Sequence, residues 1–305
     1  MYAGGYRKNV TSIPKTNKSL KRNDFYTENY EEKDKYFHLS FDDTIQIFED
    51  ITNNRENYTS IFENSTLKWL RKLHEDTGVK VSFYVFNLDG EFSLSQCTTK
   101  FVKEFENNSE WMKFGFHSEK AGKRYDAENQ LFITEDYNST IRSLIEIVGQ
   151  KSIDHIIRLE GFTGTWFGIK ELTKNVTEPI VGLFGPDDGR KCYYLDEARS
   201  SYLYCHDSYF DAEMDLVFIS TDLRAEYITN IEDKINEFKT DAWNNQRRIV
   251  EVFTHEWALN RCNRGKIKKI CKWAKKNRYK YEFAEDIIEK LTDSIEKCGR
   301  VSDRG

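Results

Sequence analysis

Tyr36-Phe37-His38-Leu39-Ser40-Phe41-Asp42-Asp43 is the stretch from which the fold is read. Phe37, Leu39 and Phe41 alternate with His38, Ser40 and Asp42. That period of two predicts a strand. The strand runs directly into two carboxylates. Working outward, Val79, Val81, Phe83 and Val85 predict a second strand, and Lys113 to His117 a short third. Further strands are expected at residues 155–159, 180–184, 216–220, 249–254 and 279–283. Between them, Leu67, Leu70 and Leu73 follow Ser65, which reads as a helix cap. Ile141, Leu144, Ile145 and Val148 share a helical face that stops at Gly149, a C-terminal cap. Helical patterns also cover residues 226–239, 263–276 and 284–297. Strands alternating with helices predict α/β architecture, a parallel sheet with helices outside. Seven or eight such units suggest a distorted (β/α) barrel. The segment Cys192 to Tyr209, dense in tyrosine, interrupts the rhythm and reads as a β-hairpin insertion.

The polar residues that follow these strands carry the functional reading. The first strand ends in Asp42-Asp43 and the third in His117-Ser118. The fourth carries Arg158, Asp222 and Arg224 lie near the end of the sixth, and the seventh ends in His255-Glu256-Trp257. Barrels of this kind gather their sites at the C-terminal strand ends. Each residue alone has a plain structural reading: Asp43 as a helix cap, a lone histidine as a hydrogen-bonded structural group, Arg158 as an ion-pair partner. Their recurrence at successive strand ends favours a shared site. Carboxylates, imidazoles and an arginine together suit metal-assisted hydrolysis. A cation acidifies water, a carboxylate takes the proton, a histidine protonates the leaving amine, and an arginine keeps the base ionised.

Composition narrows the classes. The chain has 305 residues and a net charge of −5, so no global field points to nucleic acid or to a membrane. No stretch of eighteen apolar residues predicts a transmembrane helix. Met1 to Gly5 lack the apolar core of a secretory signal, so a cytoplasmic location is expected. The six cysteines form no Cys-x-x-Cys pair and read as scattered thiols. Residues 1–34 read as a polar N-terminal arm and residues 35–298 as one barrel domain. The basic run from Arg261 to Lys280 reads as the solvated face of a helix, and no glycine-rich phosphate loop occurs. Trp166 and Trp257, with Asp222, are the candidates for holding substrate.

The order of motifs resembles the polysaccharide deacetylases of carbohydrate esterase family 4, the NodB homology group, over roughly residues 36–290. Leu39-Ser40-Phe41-Asp42-Asp43 is similar to that family's T-F-D-D, and Gly78 to Val85 to its G-V-x-A-T-F-F-V. Phe116-His117-Ser118 resembles the start of H-[ST]-x-x-x-H. Arg158 ahead of Gly161-Phe162 resembles R-x-P-aromatic, and Phe253-Thr254-His255 resembles L-x-H. The resemblance implies Asp42 as general base, Asp43 and His117 as ligands of a divalent metal, expected to be zinc, Arg158 as the partner of Asp42, and His255 as general acid. It implies an acetylated sugar or glycan precursor of bacterial surface-polysaccharide metabolism as substrate. The product would come from hydrolysis of a C–N bond. The chain departs from the pattern at Ala121, where the second metal histidine is expected, and the third motif lacks its proline. Glu119 or His206-Asp207 are the replacements suggested by position. The departure also leaves open a silent barrel that binds a glycan or a protein. A metal-free glycosidase pairing Asp42 with Asp222 or Glu256 is a third reading.

Overall fold

Burial on both faces marks the strand from Tyr36 to Thr44 (β1) as central. Phe37, Leu39 and Phe41 belong to the main apolar core, yet His38, Ser40 and Asp42 on the opposite face are also buried. The computed structural model describes residues 34–290 other than 245 and 246. The expected arm at 1–34 and the end of the expected helix at 284–297 therefore lie outside the described residues, except for Asp34 and residues 284–290.

The further strands are β2 (Val81–Asp89), β3 (Phe92–Ser93), β4 (Met112–Lys120), β5 (Ile156–Ile157), β6 (Gly182–Phe184), β7 (Ser208–Asp211), β8 (Leu216–Ile219), β9 (Leu223–Arg224), β10 (Ile249–His255) and β11 (Lys280–Tyr281). The helices are α1 (Gln46–Asn53), α2 (Ser65–Thr77), α3 (Val102–Asn107), α4 (Ile133–Val148), α5 (Trp166–Leu172), α6 (Glu197–Cys205), α7 (Ile231–Glu237), α8 (Asp241–Asn244) and α9 (Arg261–Lys276). One sheet has β1 at its centre, paired in parallel with β10 and β2. β4 continues beyond β2, and β9 beyond β10. A second sheet runs β5-β6-β8-β7. The two approach through a parallel bridge between Phe114 and Ile153 on one side, and through Asp222 N–H donating to Glu251 O on the other. Among the described residues the strands of the α/β fold pair as two mainly parallel sheets, with no continuous ladder closing the ring.

Local chemistry explains most elements. Asn64 rather than Ser65 caps α2, its side chain accepting from Thr66 and Leu67 N–H. Leu67, Leu70 and Leu73 form the buried stripe of that helix, and Gly78 ends it at φ +87°. Gly149 terminates α4, as its place after Val148 predicts. The tyrosine-rich insertion is corrected. Residues 197–205 are helix α6, capped by Asp196, and the hairpin is the later pair β7–β8. Tyrosine density suggested strand there, but Tyr202 and Leu203 bury one side of a helix instead.

Behind β1 lies a fully buried polar network. His38 Nδ1 lies 2.5 Å from Glu251 Oε2, and its Nε2 3.0 Å from Ser82 Oγ. Ser82 donates to Asp154 at 2.5 Å, and Ser40 to Glu251 at 2.9 Å. Such groups are tolerated in a core because they satisfy one another. The network supports the arginine of the site.

Candidate active site

The register of β1 against β10 sets Asp42 opposite His255, which places two sequence-distant residues side by side at the C-terminal end of the sheet. Both metal-type residues sit where a ladder slips. Between β1 and β2 the register shifts between Phe41 and Thr44, and Asp43 there takes φ +55°, a costly region for a non-glycine residue. Between β2 and β4, Val85 faces Phe116 and Phe86 faces Ser118, so His117 is the extra residue. Bulges re-aim a side chain in this way. As a result Asp43 Oδ1 lies 3.2 Å from His117 Nε2, and Asp43 Oδ2 lies 3.9 Å from His255 Nε2.

A third carboxylate joins them from the turn that follows β5. Glu160 Oε2 lies 3.6 Å from His117 Nε2, and ligand atoms of Asp43, His117 and Glu160 all fall within 4.8 Å of one another. His117 Nδ1 bonds the Arg158 carbonyl oxygen, which fixes the tautomer and leaves Nε2 free to face the two carboxylates. The chemistry of this donor set, two carboxylates and an oriented imidazole, fits a divalent cation. Burial disfavours the charged imidazole of His117. The hydrogen bond that its Nε2–H donates to Asp43 and the charges of Asp42, Asp43 and Glu160 outweigh it and push the group up to about 9. Burial likewise opposes ionisation of Asp43, but His117 and His255 hold its carboxyl below the usual range.

Arg158 is wholly buried. Its guanidinium donates to Asp42 at 2.8 Å, Ser40 at 2.9 Å and Glu251 at 2.9 Å. The rings of Phe253 and Phe184 lie at 4.4 and 4.6 Å. The expected pairing with Asp42 is present, with Glu251 as a second anchor. His255 Nδ1 meets Glu226 Oε1 at 2.5 Å. Burial lowers the His255 imidazole, yet Glu226, Asp42 and Asp43 together raise it above its ordinary value. Trp257 donates its indole N–H to Asp43 Oδ2 at 2.8 Å and stacks on His255, leaving most of its ring exposed. Glu256 turns inward and accepts from the N–H groups of Ile45, Gln46 and Ile47, each at 2.8 Å. It thereby ties the His255 loop to the first turn of α1, immediately after Asp43. Burial pushes its carboxyl up to about 7, against the pull of the three amides.

Other expected site residues lie elsewhere. Asp222 lies between the end of β8 and the start of β9, as its place after the sixth expected strand implies. Its carboxylate accepts from Glu251 N–H and sits 3.6 Å from Arg247, so it does not reach the mouth. Asp207 holds the N–H groups of Arg248 and Ile249 at the opposite end of β10 from His255, roughly 20 Å along an extended strand. Its neighbour His206 stacks on Tyr202. Glu119 pairs with Lys123 at 2.9 Å. None of these replaces the missing histidine. The glycosidase pairs are not assembled either, since Asp222 and Glu256 are both committed to main-chain amides. Trp166 lies at the start of α5 with Lys170 Nζ 4.0 Å over its ring, among the rim aromatics rather than beside the carboxylates. The exposed large hydrophobic residues among those described are Leu131, Phe132, Trp166, Phe167, Tyr227 and Trp257. All six lie in connections that leave the C-terminal ends of β4, β5, β9 and β10, which is the face of the site. Sequence reasoning missed Glu160, Glu226 and Glu251. Glu160 stands two residues after Arg158, but no local pattern marks any of the three.

No family model matches the sequence, and no curated protein matches it. Among solved structures, a protein from Mycobacterium smegmatis described as a polysaccharide deacetylase superposes with a TM-score of 0.52 at 10% identity. That match covers 86% of this chain and 92% of the other. The peptidoglycan deacetylase PdaC from Bacillus subtilis gives a TM-score of 0.45 at 13% identity, covering 90% of this chain and all of that one. A family 4 carbohydrate esterase from Streptomyces lividans in complex with acetate gives 0.39 at 11%, over 80% and 90%. At such identity the first of these speaks to architecture alone. The chain has the α/β fold of the polysaccharide deacetylases.

Proposed function

We propose that the chain is a metal-assisted deacetylase that hydrolyses the N-acetyl group of a sugar or glycan. The observation that carries this reading is the convergence of Asp42–Arg158, Asp43–His117 and His255–Glu226 at one end of one sheet. Asp43 and His117, with Glu160 beside them, would hold a divalent cation, expected from the resemblance to be zinc. When bound, such a cation supplies Lewis-acid polarisation of the acyl oxygen and acidifies water.

The chain's own residues divide the remaining work. Asp42, oriented by Arg158, takes the proton from the attacking water. His255, held through Nδ1 by Glu226, donates a proton to the sugar nitrogen as the C–N bond breaks. Acetate and a free amine leave. Trp257, anchored by Asp43, offers its exposed face to a sugar ring. A polar groove of about 490 Å³, lined by Gln46, Asn64, Asn260 and Arg264, begins at the same tryptophan and has room for a neighbouring sugar. No described helix is long and apolar enough to cross a membrane. Release of acetate from N-acetylglucosamine oligomers by metal-supplemented wild type, abolished in Asp42→Asn, tests the reading. Bound oligomer without acetate release would favour a silent glycan-binding protein.

A further inference from the structure

We propose that Glu160 takes the coordination place of the absent second histidine and sets the metal preference of the site. An Asp–His–Glu centre then accepts manganese-class cations relative to zinc far better than a two-histidine centre would. This inference rests on the metal-assisted reading above.

Three observations converge on Glu160. Ala121, the position where the second histidine is expected, lies in an exposed turn just beyond the end of β4. The other substitutes are committed, Glu119 to Lys123 and His206 to Tyr202. The Glu160 carboxylate, by contrast, has no lysine or arginine within 4.0 Å among the described residues, and its ionic contact is His117 Nε2 at 3.6 Å.

Distance favours a shared ion. Donors bound at ~2.0–2.2 Å to one cation lie about 3–3.5 Å apart at tetrahedral to octahedral angles. The separations of 3.2 Å from His117 Nε2 to Asp43 and 3.6 Å to Glu160 are close to that range. The backbone is shaped to deliver the group. Glu160 is followed by Gly161 at φ +62° and Phe162 at φ +57°, a left-handed turn that reverses the chain immediately after the carboxylate. A side chain at Gly161 would press on Arg124, whose Nε lies 2.8 Å from a Cβ built there.

The preference follows from donor chemistry. Imidazole nitrogen suits zinc, whereas carboxylate oxygen suits manganese and magnesium. Exchanging one imidazole for a carboxylate also adds a negative charge to the donor set. Both changes narrow the advantage that zinc holds over manganese in the general order of affinities.

The test is binding, not turnover. Chelator-stripped wild type, Glu160→Gln and Glu160→His are titrated with zinc and with manganese by calorimetry, and with cobalt by its visible absorption. Urea unfolding confirms that each variant is folded. One cation per wild-type chain is expected. Glu160→Gln should weaken both metals by at least about tenfold and alter the cobalt spectrum. Glu160→His should widen the zinc-over-manganese ratio by about tenfold or more. Wild-type affinities retained in Glu160→Gln, with an unchanged cobalt spectrum, would overturn the role of Glu160 while leaving the deacetylase reading intact. An unchanged ratio in Glu160→His would overturn its part in metal choice. Absence of binding by wild type would remove this inference and the metal-assisted reading together, whereas metal-independent acetate release would leave deacetylation standing without it.

Discussion

Replacing Arg158 by methionine tests the buried polar centre most directly. The guanidinium is the hydrogen-bond donor for the Asp42 side chain at 2.8 Å and one of several partners of Glu251 at 2.9 Å. Glu251 keeps His38 at 2.5 Å and Ser40 at 2.9 Å after the change. The penalty therefore falls on Asp42, which is left as a buried carboxylate without its ionic partner. Removing one member of a buried pair costs about 3–5 kcal/mol, because the other charge stays desolvated. Methionine fills similar space against Phe184 and Phe253, so loss of packing adds little. The expected result is a lower urea midpoint with an unchanged slope. Neutralising the orphan in Arg158→Met/Asp42→Asn should recover about half of the loss, a coupling of roughly 1–3 kcal/mol. A single-variant loss below about 1 kcal/mol, or a double variant no more stable than Arg158→Met, would show that Asp42 does not depend on Arg158.

Asp42→Asn should lower acetate release by about 10²–10⁴ while sparing the fold, and a variant of full activity would exclude Asp42 as the base. The His255 imidazole is raised above its ordinary value of 6.5 by Glu226, Asp42 and Asp43, in spite of burial. Its stabilising contribution is complete below pH 6.5 and is lost as pH rises through the folded-state value. The alkaline limb of kcat/KM should accordingly lie above pH 6.5 and move to lower pH in Glu226→Gln; an unmoved limb would separate Glu226 from the acid. Glu256→Gln places an amide donor against main-chain N–H groups at the start of α1. At pH 8 it should cost about 2–4 kcal/mol in urea unfolding, and a change below about 0.5 kcal/mol would show that the three amides do not need the carboxylate.

What the sequence by itself determined is local. The alternation from Phe37 to Phe41 specifies a strand because successive side chains of an extended chain face opposite ways. The leucine stripe of α2 and the glycine that ends α4 follow from helical period and from the conformational freedom of glycine. The carboxylates near the end of β1 and the histidines near the ends of β4 and β10 were visible as strand-end residues, and Arg158 as a further one. Periodicity failed at residues 197–205, where tyrosines fit helix and strand alike. It placed Asp222 after β8 correctly but could not show that its carboxylate turns to the Glu251 N–H and Arg247. Tertiary structure decided which strand-end groups share a site. The register that sets Asp42 against His255, the slips that turn Asp43 and His117 toward each other, and the arrival of Glu160, Glu226 and Glu251 all depend on pairings between distant segments. A carboxylate carries no local signature of its partner, so its role is settled only when packing brings an imidazole or a guanidinium within hydrogen-bond reach.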